Sequence, residues 1–247
     1  IEADVDFPMV FSRLGVLSRS GRPQPYSKDA DGLVPGEGVG VVILKRLQDS
    51  EREGDRIYAV LKGVGLASDG RGRGLAAPDA KGHLRAIRRA YRQSGVEPAS
   101  IGLLEGHGLG VPAADRAELK AFRAAFPPTA AALQRVLGAV SSLVGHAMPA
   151  AGMAGLIKAS LALHHRVLPA SPAIGKPHSL LQRAEDRLRL NPKTRPWIDS
   201  QGSPRRAGIN AFGFAGINAH AILEEHKSSD GDVAGALVRW PDEALLF

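Results

Sequence analysis

The feature that most constrains the fold is an apolar run that ends in a glycine-spaced turn bearing one histidine. Residues 101–104 read Ile-Gly-Leu-Leu, and Glu105-Gly106-His107-Gly108 follows directly. The apolar run predicts a short buried strand, and the glycines allow a tight bend and the close approach of a substrate. Because ligands of α/β folds bind beyond the carboxyl ends of strands, we expect His107 to lie at a ligand site.

A second segment repeats this arrangement further along the chain. Residues 136–140 predict another strand, Gly145-His146 follows it, and Lys158 comes after a run of small residues. Two strands that each deliver a histidine to one sheet edge indicate an active site with paired histidines. Lys158 lies among apolar neighbours, and a buried lysine needs a carboxylate partner. The remaining histidines, His83 and His220 among them, are expected to be surface or packing residues.

Further periodic segments predict a layered α/β architecture, because strands and helices alternate along the chain. Helices are predicted at 80–94, 115–126 and 153–165, and strands at 57–66, at the Val/Ile run within 36–45, and, as a pair with a tight turn at 213–216, over 207–224. The Val/Ile run is expected to be a buried strand.

Composition excludes several classes of site. The 247 residues contain no cysteine, which excludes disulfides, cysteine-based metal sites and a thiol nucleophile within this chain. No apolar run approaches the length of a membrane span, and no secretory signal opens the chain. The lack of cysteine fits a cytoplasmic protein, and we expect that location. The net charge of +7 suggests an acidic partner, but with only 5% aromatic residues we expect no nucleic-acid binding. No metal site is predicted, since the spacing of paired ligands is absent.

Five blocks, taken in order, resemble the C-terminal part of a β-ketoacyl synthase of the polyketide and polyunsaturated-fatty-acid synthase type. These blocks are 26–45 with Gly36-Glu37-Gly38, Glu105-Gly106-His107-Gly108, Asp115-Arg116-Ala117-Glu118, Gly145-His146 through Lys158, and 212–220. The resemblance implies a thiolase-like fold with layers α-β-α-β-α, here lacking most of the N-terminal half. It divides the chain into the remainder of that half (1–75), the C-terminal half (76–226) and a linker toward a following domain (227–247).

The resemblance also implies a reaction and roles for particular residues. Such enzymes carry out a decarboxylative Claisen condensation of acyl and malonyl-type thioesters held on the phosphopantetheine of an acyl carrier protein. His107 and His146 would stabilise the enolate oxygen. Lys158 would hold a nearby carboxylate, with Glu105 and Glu118 as candidates, and Phe214 would contribute a backbone N–H to an oxyanion hole. The implied substrate-binding positions are Leu109, Val111, Gly213, Gly216 and Asn218. The resemblance implies no cofactor bound by the chain itself.

Departures from the family pattern leave alternatives open. The nucleophilic cysteine of such enzymes lies in a segment that would precede Ile1. We therefore expect this chain to act with an N-terminal part that carries the cysteine, in a ketosynthase-type dimer. Leu109 and Val111 stand where the family usually has threonines. The alternatives are a non-catalytic partner resembling a chain-length factor, a degenerate ketosynthase, or acyl transfer without decarboxylation. In the leading cases the isolated chain is expected to expose an apolar sheet edge.

Overall fold

The computed structural model describes residues 6–70, 77–127, 134–171, 175–182, 187–198, 202–213 and 216–227. The α-helices within these ranges are α1 (Asp6–Arg13), α2 (Leu47–Glu53), α3 (Ala80–Ser94), α4 (Pro112–Ala125), α5 (Ser141–Val144) and α6 (Ala151–His164). The strands are β1 (Val60–Ser68), β2 (Leu103–Glu105), β3 (Arg135–Gly138), β4 (Val167–Leu168), β5 (Leu188–Leu190), β6 (Arg195–Pro196), β7 (Arg206–Gly213) and β8 (Ile217–Glu224). Short 3₁₀ turns occur at Pro98–Ser100, Met148–Ala150 and Ser179–Leu181.

A mixed sheet of six strands, in the order β1-β8-β7-β2-β3-β5, forms the centre of the described structure. Strand β2 lies parallel to both β3 and β7, and β8 lies antiparallel to both β1 and β7. Because β2, β3 and β7 run in the same direction, their carboxyl ends at Glu105, Gly138 and Gly213 meet at one edge. The turns that carry both histidines therefore start from the same edge of the sheet.

Helices cover both faces of this sheet. Leu104 and Leu137 belong to a buried cluster with residues of α3 and α4, whereas Leu103 and Val136 belong to a second cluster with residues of α6. Successive strand residues point to opposite faces, so a parallel strand that is buried on both sides is apolar at every position. This explains the continuous apolar runs in the sequence, and the predicted α/β class is confirmed.

The predicted helices and the paired strands are present, with small shifts at their ends. Helix α3 has the predicted bounds. It begins after Asp79, whose carboxylate accepts a hydrogen bond from the Lys81 N–H at 3.0 Å, and it ends at Gly95 in the left-handed conformation. Helix α4 begins earlier than predicted, because Pro112 occupies its first turn, where a missing N–H costs nothing. None of the helices that the structure describes is long and apolar enough to cross a membrane.

The prediction of a buried strand within residues 36–45 is wrong. All of these residues are described and none forms a strand, and the side chains of Val39, Val41 and Ile43 are 92%, 82% and 94% exposed. Gly40 packs against helix α6, where a Cβ on this residue would lie 2.6 Å from Cγ of Met153, and the N–H of Gly36 donates to the carbonyl of His146 at 3.1 Å. An apolar pattern produces a buried strand only where neighbouring strands and a second layer cover it, and no described element does so here.

Candidate active site

His107 and His146 meet beyond the carboxyl ends of β2 and β3. Their Nε2 atoms lie 3.2 Å apart although 39 residues separate them in sequence. The two rings are nearly perpendicular, with centroids 4.7 Å apart. His146 is buried and His107 is partly buried. The structure thus brings the two predicted histidines into direct contact.

Backbone hydrogen bonds determine which ring nitrogen of each histidine carries the proton. The N–H of Phe212 faces Nδ1 of His107 at 3.5 Å, and the N–H of Met148 donates to Nδ1 of His146 at 3.3 Å. A neutral imidazole whose Nδ1 accepts a hydrogen bond carries its proton on Nε2. Both Nε2–H groups are therefore donors. With these tautomers, neither ring satisfies the Nε2–H group of the other.

Burial keeps both rings neutral. Burial lowers the pKa of His107 to about 4, and the neighbouring His83 contributes to this shift. Burial likewise lowers the pKa of His146 to about 3, with a contribution from His107. At neutral pH the pair consists of two uncharged N–H donors, a state suited to hydrogen bonding with a substrate oxygen.

The carboxylate of Glu118, on α4, binds the backbone of the His107 turn. Its Oε1 accepts hydrogen bonds from the N–H of His107 at 2.8 Å and from Nδ2 of Asn210 at 2.7 Å. Its Oε2 accepts from the hydroxyl of Tyr26 at 2.7 Å and from the N–H of Gly108 at 3.1 Å. Glu118 is 2% exposed, and a buried carboxylate is stable only with such partners. The position of the His107 backbone is therefore fixed by α4.

Asp115, one turn earlier on α4, holds the end of the same turn. Its carboxylate accepts from the N–H of Tyr26 at 2.8 Å and from the N–H of Gly110 at 3.1 Å. Burial is the main cause that raises the pKa of Asp115 to about 7. The close packing here requires glycine, since a Cβ on Gly106 would lie 1.9 Å from the Tyr26 hydroxyl. Gly108 adopts a φ of +54°, which also favours glycine.

Lys158 pairs with Glu105, one of the two carboxylates that we predicted for it. Nζ of Lys158 lies 2.8 Å from Oε2 of Glu105, and the two side chains are 12% and 1% exposed. The second oxygen of Glu105 accepts the N–H of Val140 at 2.5 Å. Burial raises the pKa of Glu105, and Lys158 opposes that shift. Among the described residues no ion pair joins Lys158 to Glu118, because the Glu118 oxygens are occupied by the four donors above.

A third histidine packs beside the pair. The ring of His83 stacks on the ring of Phe212, with centroids 3.8 Å apart and planes 11° from parallel. The Phe212 ring also contacts the His107 ring at a centroid distance of 5.8 Å. His83 is 4% exposed, and burial lowers its pKa. The expected packing role of His83 is thus correct. The residue on which it packs is Phe212, whose backbone N–H faces His107.

Sequence reasoning missed Tyr26 and Asn210 as site residues. Tyr26 and Asn210 each lie 92 residues from Glu118 in sequence, and no local pattern marks such contacts. Asn210 also accepts a hydrogen bond from Nδ1 of the fully buried His220 at 2.6 Å, since its own Nδ2 donates to Glu118. The available signal was Asn210 itself, because a polar side chain within an apolar strand requires a partner.

The predicted substrate-binding positions Leu109 and Val111 continue the His107 turn and are partly buried. Between His107 and Leu109, the carbonyl of Gly108 accepts a hydrogen bond from the hydroxyl of Ser141 at 2.5 Å. This bond joins the turn after β2 to the start of α5, which leads to His146. Leu109 and Val111 therefore belong to a turn whose backbone is held by the hydrogen bond from Ser141 to Gly108.

The other predicted positions lie at the end of β7, before β8 and within β8. Gly213 ends β7, and Gly216, with a φ of +73°, precedes β8. The amide of Asn218 donates to Oδ1 of Asp69 at 2.7 Å and to the carbonyl of Gly216 at 3.1 Å. Asn218 therefore fastens this connection, and its described hydrogen bonds go to Asp69 and Gly216. Phe214, predicted to supply an oxyanion-hole N–H, lies outside the described residues.

The chemistry of the described site consists of N–H donors, one ion pair and hydrogen-bonded carboxylates. Within the described ranges, no group of three His, Cys, Asp or Glu side chains could hold a metal ion.

Comparison with known proteins identifies the family. Residues 8–50 match the model of the β-ketoacyl synthase N-terminal domain, and residues 58–174 match the model of the C-terminal domain. The chain belongs to the β-ketoacyl synthase family. The predicted resemblance is confirmed, whereas the division of the chain at residue 75 and the linker at 227–247 stay predictions.

Ketosynthases with similar sequences and structures occur in large synthases. The chain is 40% identical to one polyunsaturated fatty acid synthase protein of Thraustochytrium sp. over 223 residues, which is 88% of this chain and 8% of that protein. It is similar to the solved ketosynthase from module 6 of the bacillaene synthase from Bacillus subtilis 168, with 35% identity, a TM-score of 0.87, and coverage of 92% of this chain and 41% of that one. A structure described as a PfaC keto synthase-chain length factor gives 35% identity, a TM-score of 0.80, and coverage of 89% of this chain and 23% of that one.

These matches confirm the thiolase-like fold and define how much of a ketosynthase is present here. The chain spans 8% of the length of the Thraustochytrium protein and 41% of the solved bacillaene ketosynthase. The β-ketoacyl synthase family condenses acyl groups, and the described residues contain the turns that carry the paired histidines.

Proposed function

We propose that this chain supplies the two histidines of a ketosynthase that performs decarboxylative Claisen condensation. The observation that carries the proposal is the contact of His107 and His146, whose Nε2 atoms lie 3.2 Å apart with both Nδ1 atoms facing backbone N–H groups. The chain contains no cysteine, so the nucleophile comes from an N-terminal part outside these residues. The substrates are acyl and malonyl-type thioesters on the phosphopantetheine of an acyl carrier protein.

The first step would load the acyl group. The cysteine thiolate attacks the acyl thioester carbon, and the pantetheine sulfur leaves as a thiolate once the carbonyl re-forms. The backbone N–H of Phe214, which follows Gly213 in sequence, would stabilise the oxyanion during this step. His107 and His146 keep their protons throughout.

The second step would use the two histidines. The bond between the malonyl carboxylate and the α-carbon breaks, carbon dioxide leaves, and the electron pair passes to the thioester as an enolate. The enolate oxygen would accept hydrogen bonds from Nε2–H of both His107 and His146, which lowers the energy of the developing charge. The α-carbon then attacks the acyl-cysteine carbonyl, the thiolate leaves, and the product is a β-ketoacyl thioester on the carrier. Because burial keeps the pKa values of both rings low, they donate hydrogen bonds while uncharged.

Other residues would position this pair and the carrier arm. Glu118 fixes the His107 backbone, and the ion pair of Lys158 with Glu105 joins α6 to the ends of β2 and β3. The pantetheine arm would pass beside Leu109 and Val111 and along the β7–β8 turn at Gly213, Gly216 and Asn218. Glycines at this turn would let the substrate approach the backbone.

The exposed apolar segment supports a partner that carries the cysteine. The side chains of Val39, Val41 and Ile43 alternate with less exposed residues and are 92%, 82% and 94% exposed, and a contiguous exposed apolar patch marks an interaction surface. We extend the proposal to a strand of the N-terminal part that covers this segment, to a ketosynthase-type dimer, and to a cytoplasmic location.

The proposal is tested by following the two steps separately in the complete protein. Incubation with an acyl-carrier thioester should add the acyl mass to a cysteine, as seen by intact mass spectrometry. Addition of malonyl-carrier should release carbon dioxide in step with product. His107→Ala with His146→Ala should keep the acyl mass and lose carbon dioxide release, whereas the exposed His165→Ala should change neither. Condensation that survives loss of both histidines would overturn the proposal.

Leu109 and Val111 favour a second candidate, a non-catalytic partner resembling a chain-length factor, because apolar side chains cannot hydrogen-bond a carrier arm. The similar PfaC protein is described as a keto synthase-chain length factor. In a protein of this kind, the N-terminal part that completes this chain would carry no acylated cysteine. Acylation without carbon dioxide release would instead indicate acyl transfer without decarboxylation.

A further inference from the structure

Tyr26 adopts a backbone conformation that is rare for a residue with a large side chain. Its φ is +61°, in the left-handed region. All of its polar groups are bound: its N–H donates to Asp115 at 2.8 Å, its hydroxyl donates to Glu118 at 2.7 Å, and its carbonyl accepts the N–H of His178 at 2.7 Å. The side chain is fully buried. Contacts on every side hold this conformation in place, and such strain is characteristic of functional sites.

The hydroxyl of Tyr26 also determines which residue can precede His107. A Cβ on Gly106 would lie 1.9 Å from this oxygen, whereas the next nearest atoms, Cζ of Tyr26 and Oε1 of Glu118, would be 2.9 and 3.2 Å away. The φ of Gly106 lies outside the left-handed region, so its backbone conformation would accept alanine. The requirement for glycine therefore comes mainly from the tyrosine oxygen.

This hydroxyl acts as a hydrogen-bond donor. Burial, followed by the charge of Glu118, raises the pKa of Tyr26 well above its ordinary value, so the phenol keeps its proton. A phenol has a single O–H, and this one is directed at Oε2 of Glu118. The opposite oxygen, Oε1, accepts the N–H of His107. The hydroxyl therefore helps to fix the orientation in which the carboxylate binds the His107 backbone.

Residues 26–36 run from the His107 turn to the His146 turn. The N–H of His146 donates to the carbonyl of Val34 at 2.8 Å, and the carbonyl of His146 accepts the N–H of Gly36 at 3.1 Å. The far end of this segment thus binds both backbone groups of His146, while its first residue is anchored beside His107. One continuous stretch of chain therefore contacts the supports of both histidines.

We propose that Tyr26 is a positioning residue of the histidine pair: its hydroxyl orients Glu118 toward the backbone of His107, and the segment 26–36 that it anchors sets the place of His146. This inference rests on the function proposed above, in which both histidines donate to one enolate oxygen. A displacement of either ring would weaken one of these hydrogen bonds, with less effect on the binding of the carrier arm.

Tyr26→Phe in the complete protein removes only the hydroxyl. We expect the kcat of carbon dioxide release to fall about tenfold, with little change in KM or in acylation of the cysteine. Hydrogen exchange at the backbone N–H groups of His107 and Gly108 should become faster. Tyr58→Phe, which removes the hydroxyl of an exposed tyrosine, should change none of these quantities.

The outcomes separate this role from the proposed function. A wild-type protein that acylates its cysteine but releases no carbon dioxide would refute the proposed function. A wild type that condenses, together with a Tyr26→Phe variant that keeps its kcat or its exchange rates, would refute only the role of Tyr26.

A rescue experiment distinguishes the hydroxyl contact from a general loss of stability. Gly106→Ala alone should lower both the melting temperature and the rate, because its methyl group meets the tyrosine oxygen. In the double variant, Tyr26→Phe with Gly106→Ala, the methyl group takes the vacated space after a small shift of the ring. Its melting temperature and rate should therefore lie above those of Gly106→Ala. A double variant that loses the sum of both single effects would overturn the proposal.

Discussion

Nζ of Lys158 lies 2.8 Å from Oε2 of Glu105 at the point where β2 ends, and both side chains are largely removed from solvent. The other oxygen of Glu105 accepts the N–H of Val140, which precedes α5 and the His146 turn. One buried carboxylate therefore connects three elements: the strand that leads to His107, the turn that leads to His146, and helix α6. The distance between the two histidines depends on this connection.

The ion pair is expected to stabilise the fold strongly. Lys158→Met leaves Glu105 buried and unpaired, which should lower the free energy of unfolding by about 3–5 kcal/mol. Chemical denaturation measures this change. Lys120→Met, an exposed lysine on α4, should have little effect. The double variant Lys158→Met with Glu105→Gln should recover most of the loss, because no unpaired charge remains. A single variant as stable as the wild type would contradict the role of the pair.

Glu118→Gln should loosen the His107 turn. A glutamine amide would place an N–H₂ group where the carboxylate now accepts hydrogen bonds, so at least one buried donor would lose its partner. We expect a loss of about 3 kcal/mol in unfolding free energy. We also expect faster hydrogen exchange at the backbone N–H groups of His107 and Gly108. Glu97→Gln, at an exposed position, serves as the control, and unchanged exchange in Glu118→Gln would argue against its role.

Buried histidines should make the protein less stable in acid. Burial lowers the pKa of His220 to about 3, whereas the unfolded chain takes up this proton near the ordinary value of 6.5. The contribution of neutral His220 to the free energy of unfolding is therefore complete above pH 6.5 and is lost as the pH falls toward 3. Between these limits, its loss should amount to about 1.4 kcal/mol per pH unit.

His220→Gln should remove that part of the pH dependence. The free energy of unfolding of this variant, measured at pH 7, 6 and 5, should fall less steeply with decreasing pH than that of the wild type. His165→Gln, which changes an exposed histidine, should leave this pH dependence unaltered. A variant whose stability falls as steeply as that of the wild type would show that His220 does not titrate in this way.

His83 is expected to act as a positioning residue through Phe212. His83→Ala removes the ring that stacks on Phe212, so the N–H that faces His107 loses its support. We expect the kcat of condensation in the complete enzyme to fall about tenfold, with less change in KM. His83→Phe keeps an aromatic ring in the stack and should restore most of the rate. Lys81→Ala, an exposed position on α3, is the control, and equal rates in all variants would exclude this role.

The exposed segment at residues 39–43 should control assembly. Val41→Lys with Ile43→Lys places charge on the apolar row, which opposes pairing with another strand. The isolated chain should then self-associate less, as measured by light scattering, and it should co-purify poorly with the cysteine-bearing part. Glu37→Lys adds charge at a neighbouring exposed position and should leave assembly intact. Assembly that is unaffected by the double variant would show that the segment is not the interface.

The sequence by itself determined the elements that lead to the histidine turns. Apolar runs such as 101–104 predict buried strands because parallel strands are covered on both faces. The amphipathic pattern, the Asp79 cap and Gly95 determine α3 because each acts within one or two helical turns. The glycines beside His107 indicate a tight turn for the same local reason. The ordered blocks around both histidines were also sufficient to predict the family.

Tertiary structure alone decided which side chains share a site. The choice of Glu105 over Glu118 for Lys158, and the contacts of Glu118 with Tyr26 and Asn210, join residues far apart in sequence. Hydrogen bonds and ion pairs require atoms within a few ångströms, and that proximity follows from how the strands pair. The Val/Ile run within residues 36–45 likewise shows that a sequence pattern alone does not decide burial. Its pattern is that of a buried strand, yet burial depends on what packs against it, and among the described residues nothing covers Val39, Val41 and Ile43.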